Sequence, residues 1–425
     1  MKNTYEGRYG MTVHRVTAGE TLGTVARRHG ILPTTLAALN GLDGGAPLVE
    51  GQALLIALPG RTYHVREGDT IKGIAERHGL SVSALLRENP PLCRGEELYE
   101  GMTLTLSQAA APRTSLVVTG VAAADTPEAD LRPILPYLTF LTLLSCRLGP
   151  YGELMPPNDW EAVTAARAGG AVPLLGLSFA GTTAAEEEAT AREFYTCEAA
   201  ARTATEALLA LLSERGYGGV FLDLPFVPED CALAHRAFVM ALRRRLGHTA
   251  TVVVSVAPPT SPCGSLASLG RAAGALSLET YDFATRFGEA APDAPYDRVE
   301  AAVRAAVEAV RPQKLLLGIS TRATEFPVGG GCGRVFPAAE AERLAAEHGC
   351  AIAYDPVAHL SYLSYEEDGA RRISYFEDAG TVCEKLALAE RHGLCGVTLY
   401  PAVGLSPAIT SALAATGRIV RAHGG

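Results

Sequence analysis

A dense internal repeat sets the first constraint on what this chain can fold into. Val16, Gly19, Glu20, Thr21, Leu22, Ala26, Arg28, His29, Gly30, Leu36 and Asn40 return 49 residues later as Val65, Gly68, Asp69, Thr70, Ile71, Ala75, Arg77, His78, Gly79, Leu85 and Asn89. One extra residue then brings Glu50-Gly51 back as Glu100-Gly101. Matching this dense at one period means two copies of a single small module. Each copy reads as strand, helix, helix, strand. HRVTAGETL supplies a short strand and a Gly turn, and Thr21 or Thr70 stands where a helix N-cap belongs. A short Ala/Pro linker, Gln108 to Arg113, follows.

Both copies resemble LysM, a peptidoglycan- and chitin-binding module, through V-x-x-G-[DE]-T-[LI] and the closing EG-x-x-L, over residues 13–57 and 63–107. The resemblance implies a shallow groove for N-acetylglucosamine chains, between the first strand–helix loop and the loop before the last strand. It assigns Gly19, Glu20, Thr21 and Leu22 with Asn40 and Gly41 to the glycan in the first copy, and Gly68, Asp69, Thr70 and Ile71 with Asn89 and Pro90 in the second. A purely structural role, shaping the turn, is the competing reading for each Gly and Thr.

Beyond the linker, strand-like runs alternate with helical stretches such as Glu198–Glu214 and Arg298–Val310. The runs are Leu116–Thr119, Tyr137–Leu143, Val172–Ser178, Gly219–Leu224, Thr251–Val256, Ala275–Tyr281, Leu315–Ser320 and Gly396–Tyr400. Eight such units predict an α/β protein with a (β/α)₈ barrel over residues 114–425. Between the last two runs, AIAYDPVAHLSYLSYEEDGARRISYFED alternates apolar and polar residues and turns at Asp368-Gly369, as a hairpin does.

Charge narrows the partners. The chain carries a net charge of −9, and its first 108 residues hold 11 Lys+Arg against 11 Asp+Glu, so neither nucleic acid nor an anionic membrane is an expected partner. The longest apolar run, near Leu138 to Cys146, is far short of the roughly 18 residues of a membrane span. The start, MKNTYEGRYGMTVHRV, lacks a basic segment followed by an apolar one, so no secretory signal is expected. Nine scattered cysteines without a CxxC or Cys/His cluster predict buried thiols and no metal site, and nothing calls for a cofactor. His29 and His78 end equivalent helices, where a C-terminal charge interaction accounts for them.

The chemistry concentrates in Gly216–Pro225, GYGGVFLDLP. This stretch resembles the DxxDxDxE signature of glycoside hydrolase family 18, in the form GYDGVNIDFE seen in spore-lytic members. YLTFLTLLSCRLGPYGELMP, PLLGLSF, LETYDF, LLLGIS and the hairpin ending in Phe376-Glu377-Asp378 extend the likeness over the whole barrel. Two LysM-like modules before such a barrel resemble the spore-cortex and spore-coat glucosaminidases. The likeness implies a cytoplasmic origin and deposition on the spore, with peptidoglycan or a chitin-like polymer as partner.

In that family the substrate's own acetamide attacks the anomeric carbon, unlike the two-carboxylate scheme. By residue-for-residue transfer, Asp223 would orient the acetamide, Tyr281 would hydrogen-bond it, Tyr400 would form the floor under the sugar, and Asp282 would contact substrate. The family's acid position holds Pro225, which has no ionisable group. Gly218 and Phe221 replace two further polar positions. Glu279 stands two residues before Tyr281, on the same face of a strand and within expected reach of Asp223, where paired carboxyls could share a proton. Its alternatives are to act as a relocated acid or only to replace lost polar contacts. Glu229, in the loop after the fourth run, is the other acid to weigh. The expected function is glycan binding with hydrolysis lost or strongly reduced. An active N-acetylglucosaminidase and a structural coat protein are the rivals.

Overall fold

The computed structural model describes residues 4–421 apart from 7–10, 44, 46, 110–113, 225–226, 248–249, 260–263, 285–288 and 330–331. Pro225 and most of the Ala/Pro linker therefore lie outside the described residues. No helix among the described residues is long and apolar enough to cross a membrane.

Eight parallel strands form a closed barrel: β1 (Ser115–Ala123), β2 (Phe140–Leu148), β3 (Val172–Phe179), β4 (Gly219–Leu222), β5 (Thr251–Val256), β6 (Ala275–Leu278), β7 (Leu315–Ser320) and β8 (Gly396–Tyr400). Each pairs with the next, and β8 pairs with β1 to close the ring. Strands such as TVVVSV and LLLGIS read as near-continuous apolar runs because helices cover their outer face while the barrel fills their inner one. Alternation then layers the interior. Leu174, Phe221, Val253 and Leu316 form one apolar layer. Two residues further along lie polar groups, among which the buried Ser277 hydroxyl donates to Thr398 at 2.8 Å. Ser255 and Asp223 stand likewise two residues past Val253 and Phe221, and Glu279 two residues past Ser277.

The segment between β7 and β8 is larger than the expected hairpin. Leu360–Glu367 and Ala370–Phe376 do pair antiparallel around Asp368 and Gly369, whose φ of 53° and 75° suit a tight hairpin turn. They belong to a five-stranded sheet that also contains Arg322–Pro327, Arg334–Pro337 and Ala353–Asp355. The helix Ala338–Glu347 closes its core with Ala341, Leu344 and Ala345.

Both N-terminal copies have the expected two-strand, two-helix plan. Met11–Arg15 pairs with Ala53–Ala57 around helices Leu22–His29 and Pro33–Asn40. Pro59–His64 pairs with Thr103–Gln108 around Ile71–Arg77 and Val82–Glu88. The second copy adds a short helix, Pro90–Cys93. Thr21 and Thr70 are N-caps, accepting from the amides of Thr24 and Gly73.

The first copy is fused to the barrel. Met11, Val13, Ala53 and Leu55 share an apolar core with Ala379, Cys383, Ala408, Ala412 and Ala415 of the outer helices Ala379–Arg391 and Pro407–Thr416. Arg15 pairs with the buried Asp378 at 2.9 Å, and Ser411 donates to the Leu39 carbonyl at 3.0 Å. The second copy keeps its own core of Val65, Ile74, Leu85, Leu104 and Leu106. It meets the barrel through Cys93, which is buried in the barrel core, and Leu86 packed against it, together with polar links from Arg87 to the Pro136 carbonyl at 3.0 Å, Tyr137 to the Arg87 carbonyl at 3.2 Å, and Arg421 to Ser83 at 3.3 Å.

Candidate functional site

The site gathers at the C-terminal ends of the barrel strands, where loops follow each strand and side chains turn upward. Asp223 is set by its own backbone: its N–H donates to the Leu177 carbonyl at 2.8 Å, continuing the β3–β4 ladder one residue past β4. Glu279 is fixed likewise, through its N–H to the Val256 carbonyl at 2.9 Å. The Ser255 hydroxyl lies between them, donating to the Glu279 carboxylate and also bonded to Asp223, and the two carboxyls are bonded to each other. Burial is the main reason both titrate high. Ser255 offsets it in each case, while the Asp223 charge helps raise Glu279 to about 7. Both carboxyls therefore hold a proton more readily than exposed ones do.

Aromatic rings wall this pair. Tyr281 and Tyr400 lie nearly parallel, 13° apart with centroids at 5.5 Å. Burial, then the charges of Glu279 and Asp223, drives the Tyr281 phenol well above its usual 10, so it remains a hydrogen-bond donor. The Arg322 guanidinium sits 5.0 Å from the Tyr400 centroid and 5.9 Å from that of Tyr281. It is held by Asp282 at 2.5 Å, with Asp293 at 3.8 Å. Asp282 adopts a left-handed φ of 57°, fixed by its N–H to Asp293 at 2.9 Å, which turns its exposed carboxylate toward Arg322 on the rim. On the opposite side, Arg147 at the end of β2 pairs with Glu187 at 3.2 Å, and both charges act on Asp223.

The sequence expectation that Glu279 reaches Asp223 thus corresponds to direct contact, although β6 ends at Leu278 and Glu279 lies beyond the strand. Phe221 is in the closed apolar layer below Asp223. The place of the family's first acid is filled: a side chain on Gly218 would put its Cβ 2.2 Å from Cγ1 of Val172. Glu229 is exposed on a short 3₁₀ turn. Ser255, Arg147, Glu187 and Arg322 were not singled out from sequence. Ser255 was signalled as a polar residue breaking the apolar run near the C-terminal end of TVVVSV, and Arg322 by lying two residues past a barrel strand.

Four of the expected glycan contacts in the repeats are engaged within their own modules. Asn40 donates to the Leu36 and Leu55 carbonyls and accepts from the Leu55 amide, at 2.9, 2.9 and 2.7 Å. Asn89 makes the same three bonds with Leu85 and Thr105, at 2.8, 2.8 and 2.9 Å. These buried amides latch helix to strand. Glu20 faces inward too: burial opposes its ionisation, but the Thr17 amide and His14 outweigh that and hold it at about 2, with Arg28 alongside. Asp69 is held at about 2 by Tyr63, the Arg66 amide and Arg77. Both carboxylates brace their turns. Gly19 and Gly68, each at φ 78°, shape the same turns, and Leu22 is buried in the first repeat's core. Ile71 packs against the second core. Among the described residues no group of three or more His, Cys, Asp or Glu could hold a metal ion.

The LysM domain model matches residues 14–57 and 63–107. The chain is 22% identical over 417 residues to the putative sporulation-specific glycosylase YdhD of Bacillus subtilis, covering 93% of this chain and 97% of that one. The spore cortex-lytic enzyme SleL of Bacillus cereus superposes with a TM-score of 0.79 at 20% identity, over 97% of this chain and all of that one. A chitinase from Chromobacterium violaceum matches 70% of this chain and 98% of its own, with a TM-score of 0.63 at 21% identity. The chain therefore joins two LysM domains to a closed (β/α)₈ barrel whose fold is shared with SleL and with chitinases.

Proposed function

We propose that this protein binds N-acetylglucosamine-containing glycan, namely peptidoglycan of the spore cortex, and that its hydrolytic activity is lost or strongly reduced. The observation that carries this reading is the survival of the half of the site that orients an acetamide, without the half that protonates a leaving group. Asp223, bonded to Glu279 and Ser255, can accept an acetamide N–H, while the neutral Tyr281 phenol can donate to the acetamide oxygen. Pro225 offers no acid, and Val172 closes the seat at Gly218. Deposition on the spore surface is part of the same proposal.

Isothermal calorimetry with chitooligosaccharides tests it. Saturable binding is expected, weakened by Tyr400→Ala, and no heat at any oligomer length would leave the cleft vestigial. Loss of a general acid costs on the order of 10²–10⁴ in rate, so cortex glycan should be cleaved slowly or not at all. One observation favours a second reading, relocation of the acid: Glu279 is raised to about 7, close to where a general acid works best. Rapid cleavage of cortex glycan, abolished by Glu279→Gln, would establish that reading instead.

A further inference from the structure

The two repeats end in the same loop and use it in opposite ways. In the first, the loop before the last strand is pressed into the inserted sheet. Val49 packs on the core that contains Leu344 and Ile352, the Ile352 amide donates to the Glu50 carbonyl at 2.8 Å, and Gln52 donates to Glu342 at 2.8 Å. The approach is so close that a Cβ on Gly51 would lie 1.7 Å from the Ile352 carbonyl oxygen. This loop is one wall of the expected glycan groove. In the second repeat the matching residues are Tyr99, Glu100 and Gly101. A Cβ on Gly101 would meet nothing within 4 Å, and Tyr99, at the place of Val49, is 57% exposed. The facing loop, Arg66 to Gly68, is exposed as well.

We infer that the first repeat is an intramolecular docking element whose groove is shut by the barrel, and that the N-terminal half engages glycan through the second repeat alone, with Tyr99 as the platform on which an N-acetylhexosamine ring stacks. The inference rests on the glycan-binding reading above. A tyrosine offers a rigid apolar face and a polar tip, which suits a ring with an apolar face and a hydroxylated edge. Val49 has no face to offer and is already in contact with the barrel.

The test is sedimentation of the full chain with insoluble peptidoglycan, repeated in a Tyr400→Ala background to remove the share held by the cleft. Tyr99→Ala should weaken retention roughly tenfold, with Tyr99→Phe restoring it. Ala18→Trp, which places bulk in the exposed turn of the first repeat, should leave retention unchanged. Undiminished retention of Tyr99→Ala, or weakening by Ala18→Trp, overturns this inference while the glycan reading stands. Absence of retention by the unaltered chain overturns both.

Discussion

The two repeats share a plan, a period and an internal latch, yet the first buries both faces of its last strand against the barrel, while the second touches the barrel by one edge and leaves the outer face of its sheet open. Their last strands show why. Ala53–Ala57, ALLIA, is buried along its entire length because the module's own core covers one face and barrel helices the other. Thr103–Gln108, TLTLSQ, alternates buried and open positions because its outer face meets solvent. Met11 and Val13 on the partner strand pack on the barrel, whereas their counterparts Gly60 and Thr62 are exposed. Local capping and turn chemistry decide how a module folds. The outward face of one strand decides what it is attached to.

The largest effect should come from placing a charge on that face. Leu55→Asp buries an unpaired carboxylate and should cost more than about 4 kcal/mol, while Thr105→Asp at the equivalent site should cost about 1. Equal losses in chemical denaturation would break the contrast. A second pair should behave alike. Asn40→Ala and Asn89→Ala each leave a backbone amide and carbonyl unsatisfied, for about 2 kcal/mol apiece. If either instead lowers glycan retention with stability unchanged, the latch role is wrong.

A pH dependence is also expected where the first repeat meets the inserted sheet. Burial raises Glu342, which faces Gln52, from 4.5 to about 7, with the Asp378 charge adding to the shift and the Gln52 bond opposing it. A carboxyl raised on folding gives stability that is full below about 4.5 and drains as pH climbs through about 7. Glu342→Gln should flatten that slope in thermal melts taken from pH 4.5 to 7.5. Glu279 titrates in the same window and burial raises Glu88, Asp223, Asp293 and Glu377 too, so a reduced slope should remain after Glu342→Gln.

Much of this was legible in the chain. All eight barrel strands follow from their apolar runs, and contact between Asp223 and Glu279 follows from which face of a strand each occupies. The difference between ALLIA and TLTLSQ was also in plain sight, since an unbroken apolar run asks for two covered faces. Other features depend on partners remote in sequence. A lone Asn in each repeat reads equally as a ligand or a latch, and its partners at Leu55 and Thr105 lie 15 and 16 residues on. RATEFP and RVFP carry too little alternation to announce strands, and they become strands by pairing with each other and with Ala370–Phe376. The ion pair of Asp282 with Arg322 likewise joins residues 40 apart in the chain.

The link from Arg87 to Pro136 and that from Arg421 to Ser83 have a consequence for how a polymer would be handled. Modules on a slack tether sample many separations, and their joint grip on a long ligand follows the statistics of the linker. Here the second repeat is bolted to the barrel floor through Arg421 and to its wall through Pro136. On the glycan-binding proposal, the spacing between repeat and cleft would act as a ruler with one mark: a strand whose sugar spacing fits it would be gripped at two points, and one out of phase at a single point.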